Sequence, residues 1–205
     1  MKIYVIGDSI SIQYGPYLKS YLNDKIEYSR KEGEEEALLD LDNPQGANGG
    51  DSRMVLSFLQ AILKTNKIEG NHILLNCGLH DIKTDPTTKK QQISIEEYQK
   101  NLTTIVNLVE SKKQKLIWIR TTPCDDKTHN SIDSKFHRYS KDCFNYNDVA
   151  DKIMLQAKIP IIDLYSFTLK QGPDLYCDHV HFHEFIREKQ GAFIAGWLEG
   201  YLNKK

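Results

Sequence analysis

A chain of 205 residues with 27 Lys and Arg against 28 Asp and Glu carries a formal net charge of −1, which supplies no bulk attraction for nucleic acid or for an anionic membrane. Domains usually hold about 100–200 residues, so residues 1–205 are expected to form one domain around one core. No apolar run approaches the roughly 20 residues that cross a bilayer, and the opening Met1-Lys2-Ile3-Tyr4-Val5-Ile6 shows no basic stretch, apolar h-region or cleavage site; the expectation is a soluble, cytoplasmic protein, although a signal already removed would leave no trace.

Taken in chain order, short apolar runs alternate with longer amphipathic stretches. Ile3–Ile6 reads as a buried strand, and Ile12–Leu22, with apolar and aromatic residues three to four apart, as a helix. A weaker strand follows at Ile26–Ser29. The next stretch, Glu32–Asp51, holds the acidic cluster Glu34-Glu35-Glu36 with Asp40, Asp42 and Pro44, and reads as a long loop with a solvated acidic face. Arg53–Leu63 places Met54, Val55, Phe58, Leu59 and Ile62 on one helical stripe, and Ile73–Asn76 reads as the third strand. Ser94-Ile95-Glu96-Glu97 is a capping box opening a helix through about Ser111. A strand is expected at Leu116–Arg120, then a polar loop at Pro123–Phe136, which loops of that length suggest is functional and which is expected to border the pocket. A helix over Tyr139–Ala157, a strand at Pro160–Leu164 and a helix over Ile186–Leu202 complete the pattern. This is the signature of βαβ units, and right-handed crossovers turn it into an α/β protein with three layers, α/β/α.

Several smaller features read as structural. His72 is expected to be a core or edge histidine, Trp118 to be packing, and Trp197 with Tyr201 to dock the last helix. The cysteines, Cys77, Cys124, Cys143 and Cys177, form no C-x-x-C pair and read as reduced thiols. No Gly-x-Gly-x-x-Gly and no phosphate-binding loop motif is present, so no dinucleotide or phosphate cradle is expected.

The chemistry-bearing residues fall into four separated blocks. Gly7-Asp8-Ser9-Ile10 follows the first strand, which would project Ser9 from the carboxyl end of the sheet, where open α/β sheets place ligands. Near the other terminus, Asp178-His179-Val180-His181 puts an acid and a base three residues apart. A serine hydroxyl becomes a useful nucleophile when an imidazole takes its proton and a carboxylate orients that imidazole. Between them lie Asn48-Gly49-Gly50-Asp51-Ser52 and Asn76-Cys77-Gly78-Leu79-His80-Asp81, which could present backbone amides and a side chain to a developing oxyanion. Taken singly, each block also reads as an N-cap, a turn or a strand end.

In their order, the four blocks resemble the SGNH hydrolases, also called the GDSL esterase and lipase family. Gly7-Asp8-Ser9-Ile10 matches the first block, Gly50 with Asp51-Ser52 the second, Gly78-Leu79-His80-Asp81 the third, and Asp178 with His181 the last. The resemblance spans nearly the whole chain. It implies a flavodoxin-like sheet of five parallel strands ordered 2-1-3-4-5, with Ser9 as nucleophile, His181 as general base and Asp178 as its orienting acid. It further implies oxyanion donors at the Ser9 and Gly50 amides, no cofactor, and a small acyl ester as substrate, O-acetylated carbohydrate first and lipid or thioester next. Asp8, Asp81 and Thr122 are expected to contact substrate, with Thr121 also lining the pocket.

The chain departs from the family at one position. The third block usually reads Gly-x-Asn-Asp, its asparagine serving as the third oxyanion donor, and here His80 stands in that place. Losing one such donor costs roughly 100- to 1,000-fold in rate, so the expectation is that His80 donates in its stead, held in the needed tautomer by a neighbour. Two readings from other classes remain open. His179, His181 and His183 alternate and with His80 could form a four-ligand metal site; alternatively the protein is an inactive carbohydrate-binding relative. A cysteine nucleophile at Cys177, beside Asp178, is the weakest of the alternatives, because the base three residues on is expected to face the serine.

Overall fold

The computed structural model describes residues 1–22, 24–65, 68, 72–131 and 135–203. Five strands, β1 (Lys2–Ile6), β2 (Glu27–Arg30), β3 (His72–Leu75), β4 (Lys115–Ile119) and β5 (Ile161–Ile162), form one parallel sheet in the order β2-β1-β3-β4-β5. The central strands are near-continuous apolar runs because both of their faces are covered. Ile3, Val5, Ile73, Leu74, Leu75 and Ile117 have no exposed surface. Fully burying side chains of this size contributes about 1.5–3 kcal/mol each, so these strands anchor the fold.

Eight helices surround the sheet among the described residues: α1 (Ser9–Tyr21), α2 (Glu34–Leu39), α3 (Ser52–Thr65), α4 (Ile95–Ser111), α5 (Asp126–Ser131), α6 (Ser140–Gln156), α7 (Leu164–Leu169) and α8 (Glu184–Asn203). Helix α1 packs with α8, while α3, α4 and α6 pack in succession; right-handed crossovers put the two groups on opposite faces of the sheet. Trp197 stacks on Tyr201 at a centroid separation of 5.4 Å, and Tyr201 meets His72 edge-on, which docks α8 against β3. None of the described helices is long and apolar enough to cross a membrane.

The expected elements are all present with shifted ends, and three short helices were not expected. Helix α1 starts at Ser9 rather than Ile12, because Asp8 Oδ1 accepts from the Ile10 amide and caps it. Within the stretch read as a loop, Glu34, Glu35 and Glu36 occupy the first turn of α2, where the helix dipole favours negative charge. Helix α5 forms inside the expected polar loop, with Asp125 accepting from the amide and hydroxyl of Thr128; residues 132–134 of that loop lie outside the described residues. Strand β5 is only two residues long because Asp163 leaves the sheet to cap α7, accepting from the Ser166 amide.

Sheet order determines where a site can form. From β1 the chain moves to β2 on one side, then crosses back to β3 on the other, so a crevice opens beyond the carboxyl ends of β1 and β3. Hydrogen bonds extend the ladder past both strands: the Asn76 amide donates to Ile6 O at 3.0 Å and the Gly49 amide to Gly7 O at 2.8 Å. Three of the four sequence blocks are thereby aligned at this edge.

Candidate active site

Ser9 is the first residue of α1 and sits at the end of β1, 5% exposed. Its Oγ lies 2.9 Å from Nε2 of His181, and Nδ1 of the same ring lies 2.7 Å from Oδ2 of Asp178. The carboxylate assigns the tautomer: Nδ1–H donates to Asp178, leaving Nε2 to accept from the serine hydroxyl. Asp178 is itself fixed, because Oδ1 accepts from the amides of Val180 at 2.8 Å and His181 at 2.7 Å. Burial pushes its carboxyl upward, but the imidazole and the two amides outweigh that and hold it far below the usual carboxylate range. The turn is pinned at its base, where Cys177 N donates to His181 O and His183 N to Leu175 O.

The histidines do not share a ligand. His181 serves Ser9, His179 meets Asp42 through Nε2 at 3.2 Å and His129 through Nδ1 at 2.6 Å, and His183 pairs with Asp174 at 3.3 Å. Among the described residues no group of three or more His, Cys, Asp or Glu is placed to hold a metal ion. Cys177 Sγ faces the carbonyls of His181 and Phe182 rather than the His181 ring.

Of the expected oxyanion donors, the Ser9 amide has no acceptor among the described residues, as befits the first position of a helix. The Gly50 amide is engaged: it donates to Asn48 Oδ1 at 3.0 Å, a bond the sequence did not foretell. Gly50 has φ +70°, and a Cβ there would fall 2.5 Å from Met54 Sδ and 2.9 Å from Pro44 Cβ, so only glycine fits. His80 is 2% exposed and its Nδ1 is buried without a partner among the described residues. The expected neighbour that would fix its tautomer is therefore missing at that nitrogen. Burial first, then the charges of Lys83 and Arg138, hold its pKa well below the ordinary histidine value, so the ring is neutral.

The expected substrate contacts divide. Thr122 is 3% exposed and its hydroxyl has no partner among the described residues. Asp8 is a cap through Oδ1, while its buried Oδ2 has no partner among the described residues; burial raises its pKa. Asp81 is fully buried, with both oxygens accepting from the Ser52 amide at 2.9 and 3.1 Å, and burial pushes its pKa up to about 7. That is an anchor between the third block and the start of α3, not a surface for substrate. Asn101 completes it by donating to Ser52 Oγ at 2.9 Å. Thr121 is likewise structural, bonding Cys77 O at 3.0 Å and accepting from Asn76 Nδ2 at 3.3 Å.

Four polar residues around the site carried no motif: Asp42, Lys83, His129 and Arg138. The pKa of Asp42 is held down to about 2, first by the hydrogen bond from His179. His129 is pushed down to about 4 by burial and by Arg138. Arg138 reaches in from the segment before α6 and donates through Nε to Leu79 O at 2.9 Å, one residue from His80. Lys83 could have been noticed, three residues beyond His80; nothing near Arg138 in the chain signals its destination.

The fold and this geometry define an α/β/α protein with a hydrogen-bonded Ser-His-Asp triad at the carboxyl edge of its sheet. Solved structures with GDSL-type and acylhydrolase names share that fold. A lipase/acylhydrolase from Enterococcus faecalis superimposes with a TM-score of 0.70 at 19% identity, covering 98% of this chain and 96% of that one. A carbohydrate acetylesterase from Sinorhizobium meliloti gives 0.67 at 12% identity over 98% and 99%. A member of the lipolytic G-D-S-L family from Veillonella parvula gives 0.62 at 16% identity, covering 97% of each chain. No protein-family description and no curated protein sequence matches the chain.

Proposed function

We propose that this protein is a carboxylic ester hydrolase of the GDSL type that works through an acyl-enzyme intermediate. The observation that carries the reading is the unbroken chain of hydrogen bonds from Asp178 through His181 to Ser9. Ser9 Oγ attacks the ester carbonyl as His181 Nε2 accepts its proton, and Asp178 stabilises the imidazolium. The C–O bond to the alcohol breaks as His181 returns that proton to the leaving oxygen. Water then attacks the acyl-serine with His181 again as base, releasing the acid and restoring Ser9. The Ser9 amide donates to the oxyanion; the Gly50 amide joins it by sharing its proton with, or turning from, Asn48. His80, as the neutral ring, donates in place of asparagine.

Small O-acyl groups, acetyl first, are the proposed substrates, supported by neighbours named as a carbohydrate acetylesterase and an acetyl xylan esterase. A longer acyl chain is the second reading, supported by a groove of about 450 Å³ at Asp178 whose wall includes Ile12, Pro16, Leu38 and Leu41 beside the polar Gln13, Glu34 and Arg187. Purified parent and Ser9→Ala proteins assayed on nitrophenyl esters of graded chain length and on acetylated sugars test both. The parent is expected to turn over acetyl esters, with a loss on the order of 10⁶-fold in kcat in the variant. Equal activity of the two proteins would end the proposal.

A further inference from the structure

Beside the triad lie two buried cations that no carboxylate contacts among the described residues; the nearest acid, Asp42, is paired with His179 and supports them only from a distance. Arg138 is 2% exposed, and its guanidinium makes one hydrogen bond, Nε to Leu79 O; Nη1 is buried without an acceptor, and no carboxylate lies within ion-pair distance among the described residues. The Lys83 ammonium, on a residue 9% exposed, has one hydrogen-bond acceptor among the described residues, the backbone carbonyl of Asp42 at 3.2 Å. Both cations lie over the ring of Phe136, Lys83 Nζ at 4.5 Å and Arg138 Cζ at 4.9 Å from its centroid. Burying a charge without a counterion in contact is costly, and two side by side add repulsion that acids at a distance only partly offset. Such a cluster is favourable once an anion arrives.

Its place links it to the reacting groups from two sides. Through Leu79 O, Arg138 sits against the residue before His80. Through its backbone, which exchanges hydrogen bonds with the Asn130 side chain at 2.9 Å in both directions, it is tied to the helix that carries His129. His129 Nδ1 meets His179 Nδ1, and the His179 ring centroid lies 6.0 Å from that of His181. Thr122 Oγ1 is a further buried polar atom without a partner among the described residues. Two nitrogens of a guanidinium match the two oxygens of a carboxylate, which a point charge cannot do.

We infer that Arg138, supported by Lys83, is an anion-binding subsite of the active site, and that the natural substrate is an acyl ester bearing a carboxylate on its alcohol or its acyl part. This deepens the esterase reading and rests on it. The triad makes and breaks the ester bond, and the guanidinium positions the substrate through the second functional group.

Matched substrate pairs test it: acetylated glucuronic acid against its methyl ester for the alcohol side, and the nitrophenyl half-ester of succinic acid against nitrophenyl butyrate for the acyl side. In the parent, one pair is expected to favour the acid by about 10- to 100-fold in kcat/KM, the usual worth of a charge-assisted hydrogen bond. That ratio should collapse toward unity in Arg138→Gln and fall partway in Arg138→Lys and Lys83→Gln. Because each ratio is taken within one protein, a general loss of activity does not mimic the result. If Arg138→Gln does not fold, inhibition decides: succinate should compete with nitrophenyl acetate in the parent at constant ionic strength and do so less well in Lys83→Gln. A parent that hydrolyses nitrophenyl acetate but favours neither acid overturns the subsite while leaving the esterase intact. A ratio unchanged by Arg138→Gln overturns it too. A parent with no Ser9-dependent turnover of any ester fails the esterase reading itself.

Discussion

His181 Nε2 stands 2.9 Å from Ser9 Oγ although 172 residues separate them in the chain. Two different parts of the fold deliver them. Ser9 follows directly on β1, whose residues from Ile3 to Ile6 are buried, and His181 lies in the turn that precedes α8, the helix that packs on α1. The packing of α1 on α8 therefore sets the distance between Ser9 and His181. Gly191 shows how close that packing is, since a Cβ there would fall 2.7 Å from the Leu18 amide nitrogen.

Replacing Asp178 by Asn separates orientation from proton acceptance. Asn keeps the size of the side chain, but its amide can donate to Nδ1 and favour the tautomer that protonates Nε2. A loss of about 10⁴-fold in kcat is expected, with KM for nitrophenyl acetate little changed. Steady-state kinetics at one pH check this, and a drop below about tenfold would mean that Asp178 does not hold the ring.

The same residue shapes acid stability. Its folded pKa lies below its unfolded value, so the folded state binds fewer protons, and its stabilising contribution is present above about pH 4 and lost as the pH falls toward the folded value. Its side chain is 42% exposed, which screens the effect. Denaturant midpoints between pH 5 and pH 2 should therefore decline less steeply for Asp178→Asn than for the parent. Parallel declines would contradict the linkage.

His80 gives the sharpest test of how the oxyanion is held. If the neutral ring donates, His80→Ala should lower kcat by roughly 100- to 1,000-fold, whereas His80→Asn should keep most of the rate. Alanine at parental activity would remove His80 from the chemistry. Its orphaned Nδ1 means that the ring is not locked by a protein partner, so the asparagine variant has room to equal the parent.

Asn101 had no place in the motif reading and is predicted to matter for stability. It donates to Ser52 Oγ, whose backbone amide serves both oxygens of Asp81, so α4, the start of α3 and the third block share one buried network. Cutting a buried hydrogen bond and leaving a partner unsatisfied costs about 1–3 kcal/mol. Asn101→Ala should show that loss in urea unfolding; a change of under a few tenths would mean that water or a rotated hydroxyl takes over.

What the sequence disclosed and what it withheld follow from the range of each signal. The sheet order, the two ends of the triad and the Ser94 cap, which accepts from the Glu97 amide at 3.3 Å, were legible because each is local or belongs to an ordered set of blocks. The start of α1 was missed because Asp8 was weighed as a site residue and not as a cap. Asp81 was assigned to substrate because a motif names a residue without saying which way it faces; the fold turns it toward Ser52. Asp42 reads as part of a solvated acidic stretch and Arg138 carries no signal, since what gives them meaning is a neighbour 137 residues away for one and 59 for the other.

Lys83 makes the preference for acidic substrates depend on pH. Burial and the charge of Arg138 lower its pKa to about 8 against the partial support of Asp42, Asp51 and Asp40. Arg138 stays protonated through this range and Asp42 stays ionised, held near 2. His80 and His129 are neutral there. Of these groups only Lys83 changes charge between pH 7 and pH 9.5. The ratio of acid to methyl ester turnover cancels the titration of the triad, which is common to both substrates. It should therefore decline as the pH rises through about 8, by less than the full effect of Arg138→Gln because the guanidinium remains, and Lys83→Gln should flatten the decline. The stability sign runs the other way: folding favours the neutral amine, so the unfolded chain binds the extra proton and stability rises between about pH 8 and pH 10.5 in the absence of an anion. A ratio constant from pH 7 to pH 9.5 in the parent would show that Lys83 takes no part in recognising the substrate.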